Sequence, residues 1–236
     1  MFFENDLVKA RLIKRYKRFL ADVELPGGEV VTAHCANSGS MLGCKEPGSI
    51  VYLSPNTNPK AKLDWRWEML EVDGHLVGIN TSHPNRLAEE AIQAGVIPEL
   101  SGYDGLRREV KYGQNSRIDI LLENASGEDG AVQCFVEVKN VTLKVGDQAQ
   151  FPDSVTARGT KHLRELMDMV AEGHRAVMLY LVQRADCLSF APAADIDPAY
   201  AETLAEAIAA GVETLCYVCD LSTRGIRVDR PLPMAV

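Results

Sequence analysis

The chain has 236 residues, 46% hydrophobic and 25% charged, with a net charge of −8. That is the composition of a globular protein long enough for one large domain or two small ones, and not of a disordered or fibrous chain. No apolar run approaches the roughly 18 residues that cross a bilayer, and the segment from Met1 to Asp6 lacks a signal-peptide pattern, so the expectation is a cytoplasmic protein with no membrane partner.

The first 80 residues carry 10 basic and 10 acidic side chains, and the remainder carry 15 and 23, so the acidity lies wholly after residue 80. Lys9, Arg11, Lys14, Arg15, Lys17 and Arg18 fall within ten residues with no acid between them. Such a strip fits contact with a phosphate backbone, in DNA or RNA. It also fits the cations that guard a solvated edge strand. Phe19 to Leu25 alternate apolar and polar, and Pro26-Gly27-Gly28 turns the chain. Val30–Cys35, Ile50–Leu53, Leu63–Met69 and His75–Ile79 follow as strands, the last two joined by the Asp73-Gly74 turn. Five short strands in about 75 residues suit a small barrel of the oligonucleotide-binding type. Trp65 and Trp67 share a face, either as base-stacking platforms or as core.

After residue 80 the periodicity changes. Pro84–Ala94 reads as a helix, with Ser82 as its cap and Gly95 as its stop. Arg107–Tyr112, Ser116–Leu122 and Val132–Leu143 read as strands, the first two joined through Gly113-Gln114-Asn115 and the others through Ser126 to Gly130. Lys161–Glu172 is a helix with a stripe of Leu163, Leu166, Met167 and Val170. Ala176–Gln183 is a buried strand, Pro198–Ala210 a helix and Glu213–Leu221 a final strand. The order helix, three strands, helix, strand, helix, strand describes an α/β domain over residues 81–236, behind a barrel over residues 1–80.

Six cysteines sit mostly in apolar stretches, as free buried thiols do. Cys216-x-x-Cys219 has no second pair at zinc spacing and lies in a strand pattern. No Walker loop, Gly-x-Ser-x-Gly, Gly-x-Gly-x-x-Gly or His-Glu-x-x-His occurs. Histidines such as His34 and His75 read as structural.

The chemistry lies in two strands. Asp119 interrupts one, and Glu137-Val138-Lys139 the next. A buried carboxylate or ammonium costs several kcal/mol unless it is paired or binds a metal. Side chains two apart in a strand share a face, so Glu137 and Lys139 point together. Asp119, Glu137 and the Val138 carbonyl would offer three oxygens to a hard cation such as Mg²⁺ or Mn²⁺. Lys139 could then orient or deprotonate a water attacking a phosphodiester. A second Glu-x-Lys, Glu109-Val110-Lys111, has no strand Asp upstream and reads as a sheet segment without chemistry. Arg158, Lys161 and His162 crowd a helix start, where cations add to the dipole to favour phosphate. Pairing with Asp153 or Glu165 is the alternative.

The Asp119 and Glu137-x-Lys139 arrangement resembles the restriction-endonuclease-like nuclease superfamily. That superfamily often has Pro before the strand Asp, where this chain has Ile118. Three segments, Gly113 to Asp119, Glu137 to Leu143 and Phe151 to Leu163, together with the Asn37 to Leu42 loop, are similar to the sugar fermentation stimulation protein A family over nearly the whole chain. The resemblance implies an oligonucleotide-binding barrel followed by a nuclease-like domain. It also implies largely non-specific DNA binding and a regulatory role in sugar catabolism, with active Mg²⁺-dependent nuclease action as the alternative. It further selects Glu90 as a helix acid at the site, although the pattern alone does not separate Glu90 from Glu89.

Overall fold

The computed structural model describes residues 1–113, 116–124 and 132–235. The expected links at Gln114-Asn115 and Ser126 to Gly130 lie outside the described residues. The N-terminal part contains β1 (Val8–Tyr16), β2 (Leu20–Glu24), β3 (Val30–Cys35), β4 (Ile50–Pro55), β5 (Trp65–Val72) and β6 (His75–Gly78). Their order is β3-β2-β1-β4-β5-β6, and parallel pairing of β3 with β5 closes five of them into a barrel. The strand outside the ring is β6, a hairpin partner of β5.

The cation-rich segment is therefore β1, a member of the ring, and the five barrel strands differ from those expected. It is no edge: its first half pairs with β4 and its second with β2, with a register shift between Leu12 and Lys14. Ala10 and Leu12 point into the barrel, and Lys9 and Arg11 point out, as the two-residue period requires. Trp67 is fully buried and its indole N–H donates to the Met69 carbonyl at 2.9 Å. Trp65 packs half-buried against the same core, so the tryptophans are core residues rather than stacking platforms.

The second part contains α1 (Pro84–Gln93), β7 (Gly105–Tyr112), β8 (Ser116–Glu123), β9 (Cys134–Val141), β10 (Leu143–Val145), β11 (Gln148–Phe151), α2 (Ala157–Ala171), β12 (Arg175–Val182), β13 (Ser189–Pro192), α3 (Pro198–Ala209), β14 (Glu213–Ser222) and β15 (Gly225–Pro231). The main sheet runs β15-β14-β12-β9-β8-β7. Its centre, β9-β12-β14, is parallel, and its flanks are antiparallel. Parallel strands covered on both faces read as continuous apolar runs, which is why Ala176 to Val182 was legible as buried. One face packs on α2 and α3. The other packs on α1 and on Tyr52 and Met69 of the barrel. The strands β10, β11 and β13 form a small separate sheet; they and β15 are too short or too polar to announce themselves.

Two helix starts differ from expectation. Ser82 does not cap α1; its hydroxyl donates to Asn80 Oδ1 at 2.6 Å, and the cap position is His83, with no side-chain cap bond. The helix α2 begins at Ala157 because Thr156 Oγ1 accepts from the Gly159 amide at 3.0 Å. That brings Arg158, Lys161 and His162 inside its first two turns. The barrel joins the sheet at Gly78, whose amide donates to the Gln183 carbonyl at 2.8 Å. A Cβ there would lie 2.5 Å from Gln183 Oε1, so any larger residue would force the buried Gln183 side chain to shift. All six cysteines are free and buried, with Cys216 and Cys219 inside β14. Among the described residues no helix is long and apolar enough to cross a membrane.

Candidate functional site

The site forms where sheet pairing fails around Asp119. The β8–β9 ladder runs through Leu122↔Cys134, Leu121↔Phe135 and Ile120↔Val136 and stops there. On the other side, β7 and β8 pair at Arg108↔Ile120 and at Val110↔Ile118 but not between. The skipped residue, Glu109, has φ 55°, which is uncommon for a residue with a Cβ. Asp119 fills the break. Its Oδ2 accepts from the Val138 amide at 2.8 Å, and its Oδ1 accepts from the Asn85 side-chain amide of α1 at 2.8 Å. Asn85 also reaches Glu109 Oε1 at 3.4 Å.

Glu137 and Lys139 project from β9 toward α2. Lys139 Nζ donates to Glu137 Oε1 at 2.7 Å, and the lysine side chain is only 12% exposed. His162 of α2 approaches the same oxygen through Nδ1, and Arg158 Nε donates to His162 Nε2 at 3.3 Å. The same ring nitrogen, Nδ1, lies 3.1 Å from Lys139 Nζ, so it sits between the carboxylate and the amine. The other carboxylate oxygen, Glu137 Oε2, is buried with no hydrogen-bond partner among the described residues. Deeper in, Ser116 donates to Glu165 Oε1 at 2.7 Å, while Glu165 Oε2 and the Tyr112 hydroxyl are likewise buried and unpartnered there.

The two carboxylates are driven apart electrostatically. Burial, and then the Glu137 charge, push the Asp119 carboxyl up to about 6, against the opposing pull of the Val138 amide, Lys139 and Asn85. Burial pushes Glu137 up as well, but Lys139 and His162 outweigh it and hold this carboxyl below its ordinary value. The Tyr112 hydroxyl is pushed up by burial and by Glu137, Glu165 and Asp119.

A divalent cation fits these donors. A buried carboxylate oxygen without a partner is an unused acceptor, and Asp119, raised by burial and then by its neighbour's charge, would be relieved by a cation. No three His, Cys, Asp or Glu side chains are grouped for a metal among the described residues. An ion held here would therefore complete its shell with main-chain oxygen and water, as Mg²⁺ commonly does.

Of the residues anticipated from sequence, Asp119, Glu137, Val138 and Lys139 meet. Glu90 does not join them: its carboxylate lies 2.6 Å from the Met1 ammonium and 2.8 Å from Arg86 Nε, on a different face of α1 from Asn85. Glu89 pairs with Arg108 at 3.2 Å. His162 is no surface phosphate contact, because it is 5% exposed and lies against Glu137. Lys161 donates to Ser116 Oγ at 3.0 Å and pairs with Glu165 at 3.4 Å. The β1 cations are largely engaged within the barrel. Lys9 reaches Glu71, Lys14 reaches Asp22, and Arg11 reaches the Gly48 carbonyl, each at 3.4 Å. Arg15 donates to the carbonyls of Arg18, Asn37 and Gly39 at 2.8–2.9 Å. Lys17 and Arg18 are exposed at the β1–β2 turn.

Sequence reasoning missed Asn85, Ser116 and Tyr112, and named Glu165 only as an ion-pair partner, which it is for Lys161. The available signal was on α2, where His162 and Glu165 occupy the buried helical stripe with Leu166 and Met169. Polar residues on a core-facing stripe need partners.

Comparison with known proteins agrees with this architecture. Residues 13–79 match the model described as the SfsA N-terminal OB domain, and residues 82–225 match the Sugar fermentation stimulation protein RE domain. The sugar fermentation stimulation protein homolog of Paramagnetospirillum magneticum is 62% identical over 99% of this chain and 98% of its own. That of Maricaulis maris is 57% identical over 98% of this chain and 97% of its own. The structure of Pyrococcus furiosus SfsA in complex with Ca²⁺ superposes with a TM-score of 0.89 at 28% identity, covering 100% of this chain and 98% of that one. On the strength of both domain matches and these full-length relatives, the chain belongs to the sugar fermentation stimulation protein family, SfsA.

Proposed function

We propose that this protein binds DNA and that Asp119, Glu137 and Lys139 form a divalent-cation-dependent site for phosphodiester hydrolysis. The observation that carries this reading is a buried, unpartnered Glu137 Oε2 within electrostatic reach of Asp119, whose carboxylate is bonded to the amide of the next residue, Val138, while Lys139 holds the other Glu137 oxygen. The Ca²⁺ in the Pyrococcus furiosus relative supports a cation in this family. Asp119, Glu137 and the Val138 carbonyl would hold Mg²⁺ or Mn²⁺. The bound ion would stabilise charge developing on the phosphoryl oxygens and acidify a water. Asn85 and the Val138 amide fix the Asp119 carboxylate in place. His162, held by Arg158, keeps Glu137 Oε1 directed at Lys139. With Glu137 holding a cation, Lys139 would be the side chain left to orient the attacking water.

A second reading follows from the relatives' name. The protein would act in stimulating sugar fermentation as a DNA-binding regulator, with the same site holding an ion without turnover; the tight Lys139–Glu137 pair favours it. One assay separates the two. Labelled single- and double-stranded DNA and RNA are incubated with Mg²⁺ or Mn²⁺ and wild type, Asp119→Ala, Lys139→Ala, Lys111→Ala or Glu90→Ala. With nucleic acid at saturating concentration, hydrolysis lost in Asp119→Ala, reduced on the order of a hundredfold in Lys139→Ala and retained in the other two supports the nuclease. Equal losses in Lys111→Ala and Lys139→Ala, with both folded, would move the chemistry to another strand. Binding without cleavage leaves the regulator.

A further inference from the structure

Lys111 of β7 and Arg117 of β8 are register partners. Directly opposed residues of an antiparallel pair stand on one face, and like charges there repel. Both side chains are exposed, and neither makes an ion pair or side-chain hydrogen bond with another described residue. Two unneutralised cations face to face raise the free energy of the folded chain unless an anion sits between them. They line a cavity of about 340 Å³ together with Tyr112, Gly113 and Ser116. Its wall is Tyr112, 8% exposed, whose hydroxyl has no partner among the described residues. The cavity thus offers two charges; the Tyr112 hydroxyl itself is turned into the core, toward Glu137 and Glu165.

Its position relates it to the site. Arg117 lies two residues before Asp119 and shares its strand face. Two residues of strand span about 7 Å, close to one step along a sugar–phosphate chain. We infer that Lys111 and Arg117 form a clamp for the nucleic-acid phosphate adjacent to the one at Asp119, so that the strand being read runs along the β7–β8 edge. This rests on the nucleic-acid reading above and adds where the backbone lies. Lys111 has no part in the chemical step; its role is to hold the neighbouring phosphate.

The test is fluorescence anisotropy of a labelled 12-nucleotide DNA strand titrated with the full chain in Ca²⁺ at several salt concentrations. Wild type is compared with Lys111→Gln, the double variant Lys111→Gln/Arg117→Gln, and Lys111→Glu. The double variant should bind at least tenfold more weakly. Its slope of log affinity against log salt should shrink by about 1.4, the share of two phosphate contacts on a single strand. Its melting temperature should be unchanged or higher, because the repulsion is gone. Lys111→Glu should melt higher still, through a new pair with Arg117, and bind worst. Wild-type binding with an unchanged affinity and slope in the double variant overturns the clamp alone. A fall in melting temperature that accounts for the weaker binding also overturns it, by making the pair structural. No binding by wild type overturns both the clamp and the nucleic-acid reading.

Discussion

The Asp119 carboxylate and the Val138 amide meet at 2.8 Å just past the last paired residues of β8 and β9, Ile120 and Val136. A side chain has taken the amide that the ladder would have used. The same contact orients the carboxylate and holds the strands apart, so the cleft and one of its candidate ligands have a single cause. Buried amides left without an acceptor cost roughly 1–3 kcal/mol, and Asp119 removes that cost at Val138.

This arrangement makes stability depend on pH in an unusual direction. Asp119 rises from an ordinary 3.8 to about 6 on folding, so the folded chain binds its proton more tightly than the unfolded chain. Its charged form therefore destabilises the fold. The destabilisation is absent below about 4, grows between about 4 and 6, and is complete above, at roughly 3 kcal/mol. Glu137, held low, works in the opposite sense: its contribution is present above 4.5 and is lost as pH falls through its folded value. Denaturant titrations of metal-free protein between pH 4.5 and 6.5 should show wild type losing stability with rising pH relative to Asp119→Asn. Parallel curves for the two proteins would remove Asp119 as the titrating group.

Cation binding should reverse that penalty. Mg²⁺ or Mn²⁺ should raise the melting temperature with concentration, by mass action on the folded state. Asp119→Ala should abolish the rise. Glu90→Gln should leave it intact, because Glu90 pairs with Met1 and Arg86. A melting temperature indifferent to both metals at millimolar concentration would exclude a site of useful affinity.

The β1 cations should divide into two groups. Arg15 feeds three carbonyls, and hydrogen bonds from charged donors contribute about 1.5–3 kcal/mol. Arg15→Ala should therefore destabilise the barrel by about 2 kcal/mol in denaturant unfolding. Lys17 and Arg18 sit at φ 48° and 66°, where asparagine is tolerated. Lys17→Asn with Arg18→Asn should cost little stability. If this turn touches DNA, the pair should reduce the salt slope of binding; an unchanged slope would show that β1 serves the barrel alone.

Much of the architecture was legible in residue order because its signals are local. Alternation marked the barrel strands, Gly95 marked the end of α1, and apolar runs marked β12 and β14. The Asp119 and Glu137-x-Lys139 set was legible for the same reason: charged residues in otherwise buried strands are conspicuous wherever they pair. The remainder depended on distant groups meeting. Ring closure by β3 and β5 turned the cationic segment from a candidate edge into an interior member of the barrel. Asn85 and Glu90 are five residues apart on one helix, and a helix's 3.6-residue turn sends them to different faces. Which of them meets Asp119 depends on how α1 packs against the sheet, and no local pattern encodes that. His162 likewise reads as a surface cation until α2 is laid on β9, where burial sets its Nδ1 against the carboxylate and amine of the site while Arg158 holds its Nε2.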